Sequence, residues 1–291
     1  GEFHLLIRSD PSGRDWYQVS ASDRSVSVLG SSPVAVLHGA YIYLQTHGLA
    51  EMDQDSQRVA LPDRWPHEEG AMVPASFSHR AYLNPCTYGY TTPWWSWQQW
   101  QREIDWMALH GIDMPLALEG QEAIWQSLWQ QQGVSNSDLA AYFSGPAYAP
   151  WQRMGNLEGQ FAPLSQRWID ERSRLQAKIL DQIRSLGMKP VLPAFAGYVP
   201  KAFARAHPQA HIHRMRPWEG FHETYWLDPS DPLFKTLASA FIKLYGKTYG
   251  PGRYYLADAF NEMLPPMSDH PAAQTGGYGD NAQAGSAGPK V

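Results

Sequence analysis

The chain has 291 residues, with 23 Lys and Arg against 28 Asp and Glu; its formal net charge of −5 gives no basic footprint for nucleic acid or anionic membrane. Hydrophobic residues make up 43%, enough for a sizeable core, yet no apolar run approaches the roughly 18 residues of a membrane span. The single cysteine, Cys86, excludes an internal disulfide.

The opening Gly1-Glu2-Phe3 has neither an initiator Met nor a basic-then-apolar leader; a cleaved signal, a cloning remnant or a trimmed fragment would all look like this, and a fragment is the expectation. Residues 14–30 alternate in polarity around Ala21–Arg24, which predicts two short strands and a turn. Ser31-Ser32-Pro33 then offers an N-cap with Pro in the first helical turn. Val34, Leu37, Ala40, Tyr41 and Leu44 follow at helical spacing, ending at His47-Gly48. Residues 1–78 therefore predict a small α/β domain, and 62–78, rich in Pro, a linker or loop.

Trp97, Trp100, Ile104 and Met107 predict an amphipathic helix stopped at His110-Gly111. Ile112–Glu119 reads as the first strand of a second domain, and Gln121–Gln132 as a helix. After a long loop, 133–163, a helix over Gln166–Leu186 carries Trp168, Leu175, Ile179, Ile183 and Leu186 on one face. Further strands are expected at Met188–Ala196, His211–Met215 and Arg253–Phe260, with a helix over Asp228–Tyr249. Alternating strands and helices imply a parallel sheet. An eight-fold barrel takes about 250 residues. Four strand candidates over 79–267 predict a TIM-type (β/α)8 barrel truncated to about its first half. Residues 268–291, glycine-rich without period, read as a low-complexity tail.

The stretch Arg253 to Met263 carries the most chemistry. A short apolar run delivers Asn261 and Glu262 side by side to the C-terminal end of a strand, where barrels place catalytic groups. A structural ion pair at a strand end would look the same. Aromatic content adds a second hint: of 13 Trp, seven fall between Trp94 and Trp129. Indole rings serve either as core packing or as platforms for the C–H faces of sugars, and composition does not choose between them.

Several Trp-containing segments are similar to those of the α-N-acetylglucosaminidases, a glycoside hydrolase family. They include Asn84-Pro85-Cys86-Thr87, Trp94-Trp95-Ser96-Trp97, Arg102 to Leu109, Gly120 to Trp125, Gly145-Pro146-Ala147, Trp151 to Leu157, Leu192 to Gly197 and Phe260-Asn261-Glu262-Met263. The resemblance implies a retaining exo-enzyme that removes terminal α-linked N-acetylglucosamine from a glycan, in a periplasmic, secreted or lysosomal setting, with no cofactor. Retention needs two carboxyl groups about 5–5.5 Å apart, one an acid/base and one a nucleophile. By its motif Glu262 matches the acid/base, which must hold its proton near neutral pH, and burial among Tyr254, Phe260 and the tryptophans is expected to help. The resemblance assigns Asn261, Asn84, Cys86, Trp151, Met154 and Trp218 to substrate contact. No position here matches the family's nucleophile, and Leu118-Glu119 departs from its pattern. The alternative is a non-catalytic saccharide-binding remnant of such an enzyme.

Other candidates have simpler explanations. Glu119 ends a strand on the same side as Glu262 and could be a second carboxylate, but it and Glu122 better suit a helix N-terminus, where the macrodipole favours acidic groups. His207, His211 and His213 straddle a proline without the helical i, i+4 frame of a zinc site, so a solvated loop is expected and no metal. No Gly-rich phosphate loop or Gly-x-Ser-x-Gly elbow occurs.

Overall fold

The computed structural model describes residues 1–11, 13–86 and 88–266. The N-terminal strands are β1 (Glu2–Ile7), β2 (Trp16–Ser22) and β3 (Ser25–Gly30), followed by helix α1 (Pro33–Thr46). Val19 and Ala21 on β2 and Val26 and Val28 on β3 alternate inward, onto Val36, Ala40 and Tyr43 of α1. Fully burying such a side chain stabilises the fold by roughly 1.5–3 kcal/mol. The Ser32 hydroxyl accepts from the Ala35 amide at 3.1 Å and caps α1 as the sequence predicts. Short strands β4 (Ala50–Met52) and β5 (Gln57–Val59) pair antiparallel, and β6 (Met72–Pro74) adds to β2, giving the sheet order β1-β3-β2-β6. The expected linker thus contributes an edge strand, and β1, parallel to β3, is an element the sequence did not announce.

The second unit begins with β7 (Ala81–Tyr82), helix α2 (Tyr88–Thr91) and helix α3 (Trp97–Leu109), the last closed by a Ser96–Gln99 capping box. Strand β8 (Met114–Pro115) and helices α4 (Gln121–Gln131), α5 (Asn136–Tyr142), α6 (Ala149–Arg153) and α7 (Gln166–Ser185) follow. Then come β9 (Val191–Pro193), β10 (Tyr198–Val199), α8 (Lys201–Ala206), β11 (Ile212–Arg214), β12 (Tyr225–Leu227), α9 (Pro232–Tyr249) and β13 (Tyr254–Leu256).

Four strands run parallel in chain order. β7 pairs with β8, Leu116 bridges to Val191, and β9 pairs with β13. Helices α3, α7 and α9 cover them through Trp100, Ile104, Met107, Ile179, Ile183, Leu237 and Phe241, all buried. The buried Gln176 amide on α7 donates to the Ala117 carbonyl at 2.7 Å and to the Tyr245 hydroxyl at 2.8 Å, tying helix, sheet and α9 together. No closed barrel forms among the described residues.

Two expectations need correction. The first parallel strand is β7, so the Ile112–Glu119 segment is the second, and only Met114–Pro115 of it is ladder-paired as strand. The segment His211–Met215 does not join the parallel sheet: β11 pairs antiparallel with β12, which pairs with β10, in a separate three-stranded sheet. It lies within the excursion between β9 and α9, and its partner Tyr225–Leu227 runs back alongside it. The N-terminal and parallel-sheet units meet at α1, where His38 Nδ1 donates to the Leu109 carbonyl at 2.8 Å. The expected tail over 268–291 lies outside the described residues.

Candidate active site

The four parallel strands direct their C-terminal ends to one side, and every candidate residue lies in a segment that follows one of them. After β7, Leu83 takes a left-handed backbone (φ 80°), and the Asn84 side-chain oxygen accepts from the Cys86 amide at 2.8 Å in an Asx turn. Cys86 Sγ lies 3.0 Å from the Tyr90 hydroxyl. The Tyr90 ring stacks on Trp151, centroids 5.2 Å apart, and Trp151 lies 6.1 Å from Trp218. The Trp218 indole N–H donates to Glu262 Oε2 at 3.2 Å.

The other branch holds Asn261. Its amide donates to the buried Met154 sulfur at 2.7 Å, while its carbonyl accepts from Asn156 Nδ2 at 2.7 Å. Asn84, Cys86, Trp151, Met154, Trp218, Asn261 and Glu262 thus form one contact network, with Tyr90 as the joint the sequence reading missed. The signal was available in the spacing alone, since Tyr90 stands four residues after Cys86.

Electrostatics at Tyr90 favour its neutral form. The Cys86 hydrogen bond contributes most, followed by burial and by the thiol and Glu262 charges, and together they raise its pKa. Glu262 itself is exposed, against the expected burial; the strand ends at Leu256, and irregular backbone carries the carboxylate to the rim. Its φ of 57° is unusual for a residue bearing a Cβ. Among the described residues, the non-glycine positions with positive φ are Leu83, Phe161, Glu219 and Glu262, all in the loops around this network. Such conformations concentrate where the surroundings hold a site in place.

Glu119 and Glu122 reach this network through Arg153, on the helix that carries Trp151. Glu119 is fully buried, and Glu122 is 5% exposed. The Arg153 guanidinium donates to Glu122 Oε1 at 2.7 Å and lies 3.8 Å from Glu119 Oε1. Burial raises the Glu119 pKa, and Arg153 opposes the shift. Because Arg153 closes the helix that carries Trp151, the two carboxylates pin that helix to the end of β8 and the start of α4. Gly120 caps α4 at φ 63°, where a Cβ would sit 2.9 Å from the Arg172 carbonyl, so the Gly-Gln-Glu segment requires its glycine.

The histidines do not converge. His213 Nε2 bonds Asp228 at 3.0 Å, and His207 stacks on Phe203. Among the described residues no cluster of His, Cys, Asp or Glu is placed to hold a metal ion. No helix among them is long and apolar enough to cross a membrane.

Comparison with known proteins bears on this arrangement. The model of the α-N-acetylglucosaminidase TIM-barrel domain matches residues 80–281, and that of the same family's N-terminal domain matches residues 1–67. The chain belongs to the α-N-acetylglucosaminidase family. It is 40% identical to human α-N-acetylglucosaminidase over 263 residues, which is 88% of this chain and 35% of the human protein. The chain thus spans about a third of that relative's length. A family 89 glycoside hydrolase from Clostridium perfringens in complex with its substrate GlcNAc-α-1,4-galactose superposes with a TM-score of 0.80 at 29% identity, over 87% of this chain and 30% of that one. The same family 89 enzyme with 2-acetamido-1,2-dideoxynojirmycin gives a TM-score of 0.83 at 29% identity, over 90% and 31%. The chain is therefore homologous to glycoside hydrolases, and its aromatic network lies on a scaffold they share.

Proposed function

We propose that this chain carries the acid/base side of a retaining exo-α-N-acetylglucosaminidase site. Glu262 donates a proton to the glycosidic oxygen and then, as a carboxylate, activates water against a glycosyl-enzyme ester. The carboxylate that forms this ester lies on a later barrel strand outside the chain. Asn261 hydrogen-bonds the sugar beside the scissile bond, and Asn84, Cys86, Trp151, Met154 and Trp218 line the pocket. Residues 1–78 form a leading α/β domain, and 79–267 supply the first half of a (β/α)8 barrel.

The observation that carries this reading is the Trp218–Glu262 contact at 3.2 Å, beside a stacked Tyr90–Trp151 pair and beyond the C-terminal end of a parallel strand. The family's activity on terminal α-linked N-acetylglucosamine supports the substrate class, and the C. perfringens complex with a disaccharide of that linkage supports the anomer. Glu119 is a poor nucleophile candidate, being fully buried and close to Arg153.

Titration with methyl α- and β-N-acetylglucosaminide, followed by NMR, tests the site. The α anomer is expected to bind in preference, and the binding is expected to weaken in Glu262→Ala. Little p-nitrophenyl α-N-acetylglucosaminide should be hydrolysed by the chain alone. Equal affinity for both anomers contradicts the reading. Efficient turnover abolished by Glu262→Ala would instead put the nucleophile within these residues.

A further inference from the structure

The N-terminal sheet leaves one long edge open. β1 pairs with β3 on one side only, and at six residues it is the longest edge strand among the described residues. The opposite edge of this sheet, β6, has three residues and ends on Pro74, which blunts it. β1 carries neither Pro nor Lys, and its Leu5, Leu6 and Ile7 are 50%, 51% and 57% exposed. Phe3, Leu5 and Ile7 register with Val26, Val28 and Gly30, so they point to the side of the sheet that α1 covers. The helix packs on Val19, Ala21, Val26 and Val28 and leaves Leu5 and Ile7 bare.

From this edge we infer that two copies of the chain pair through β1, antiparallel about a two-fold axis at Leu5. The backbone fixes which groups are free. The Glu2 amide donates to the Arg24 carbonyl at 2.9 Å, and the Arg8 amide to the Gly30 carbonyl at 2.8 Å. Successive residues of a strand turn their amides and carbonyls to opposite neighbours, so those of Phe3, Leu5 and Ile7 point outward. A two-fold pairing has to match these residues to one another. Centred on Leu5, it sets Leu5 against Leu5 of the second copy, Phe3 against Ile7, and Glu2 against Arg8. Centring on His4 opposes two histidines, and centring on Leu6 opposes His4 and Arg8. The Leu5 register alone places opposite charges across the axis and like charges nowhere. Such cross-strand pairs stabilise a ladder, and an unblunted edge is a template for another strand.

Sedimentation velocity and amide exchange followed by NMR, each over a concentration series, test this on the chain as it stands. The contact is small, so a monomer–dimer equilibrium with Kd between about 1 μM and 1 mM is expected. The amides of Phe3, Leu5 and Ile7 should gain protection as concentration rises, while those of His4 and Leu6, turned towards β3, should not change. Glu2→Arg and Arg8→Glu should each raise Kd about tenfold, because two pairs turn from attractive to repulsive. The double reversal should restore it. Leu5→Pro removes an outward amide and spares the β3 ladder, so it should abolish the dimer with the circular dichroism spectrum unchanged. A chain that stays monomeric up to about 1 mM overturns the inference. So does a dimer that ignores the charge reversals and Leu5→Pro, which would place the contact on another surface.

Discussion

The Asn156 side-chain amide donates to the Asn261 main-chain carbonyl at 2.7 Å, across 105 residues of sequence. Asn156 is 1% exposed, and its neighbour Met154 accepts from the Asn261 side chain. The turn after α6 therefore holds the backbone that presents Glu262. Asn156→Ala leaves a carbonyl without its donor, at a cost of about 1–3 kcal/mol. Urea denaturation should show that loss, and amide exchange of residues 259–263 should speed up. Unchanged exchange would mean that Glu262 is held by other contacts.

A second prediction concerns the buried charges. Arg153→Met removes the cation that Glu119 and Glu122 share, so Glu122 loses its ion-pair partner while Glu119 keeps only the Arg172 charge and the Thr92 hydroxyl. Breaking such a pair from one side typically costs about 3–5 kcal/mol. Adding Glu122→Gln to Arg153→Met should recover part of the loss, because the two residues share one network. Additive denaturation free energies in the double variant would contradict the coupling.

These two relationships mark where the sequence stops being readable. The long helices were legible, because α3, α7 and α9 repeat apolar residues over three or more turns, and Ser32 caps α1 as its type predicts; α9 starts at Pro232 behind the cap Asp231, inside the expected bound of Asp228. The β2–β3 pair was legible for the same reason at period two. Strand β7, two residues long, has no period to detect, and β11, though extended as expected, has an antiparallel partner outside the parallel sheet. The candidate site was visible only as scattered motif residues. Their contacts, such as Asn156 with Asn261 or Trp218 with Glu262, join loops far apart in sequence. Composition also could not separate the tryptophans: Trp100 and Trp129 are fully buried in the core, whereas Trp151 and Trp218 stand in the network.

The third prediction is a pH dependence. Burial pushes the Glu158 pKa up from 4.5 to about 7, against the opposing Lys201 amide and ammonium and the Arg205 charge. A carboxyl whose folded value exceeds its unfolded one binds its proton more tightly in the folded state. Its contribution is therefore full below about pH 4.5 and is lost as pH rises towards 7. The change is of order 3 kcal/mol. Glu158→Gln, neutral throughout, should flatten the decline of Tm between those values and exceed the wild type at pH 8. Parallel Tm–pH curves for the two proteins would contradict the assignment.

Cys86 reports on the pocket, since it is the single cysteine in the chain. If saccharide occupies the space between Cys86, Tyr90 and Trp151, methyl α-N-acetylglucosaminide should slow its alkylation by iodoacetamide. Protection should reach about tenfold at a ligand concentration ten times Kd. The β anomer at equal concentration should protect less. Equal labelling rates with and without the α glycoside would remove Cys86 from the pocket.

The position of the Glu262 carboxyl relative to a bound glycosidic bond tests the account most directly. A crystal structure of the chain with GlcNAc-α-1,4-galactose supplies it. The account predicts a carboxyl oxygen of Glu262 within about 2.6–3.2 Å of the bridging oxygen, with the N-acetylglucosamine against Trp151. A disaccharide bound elsewhere, or bound here with that carboxyl turned away from the bridging oxygen, would contradict it.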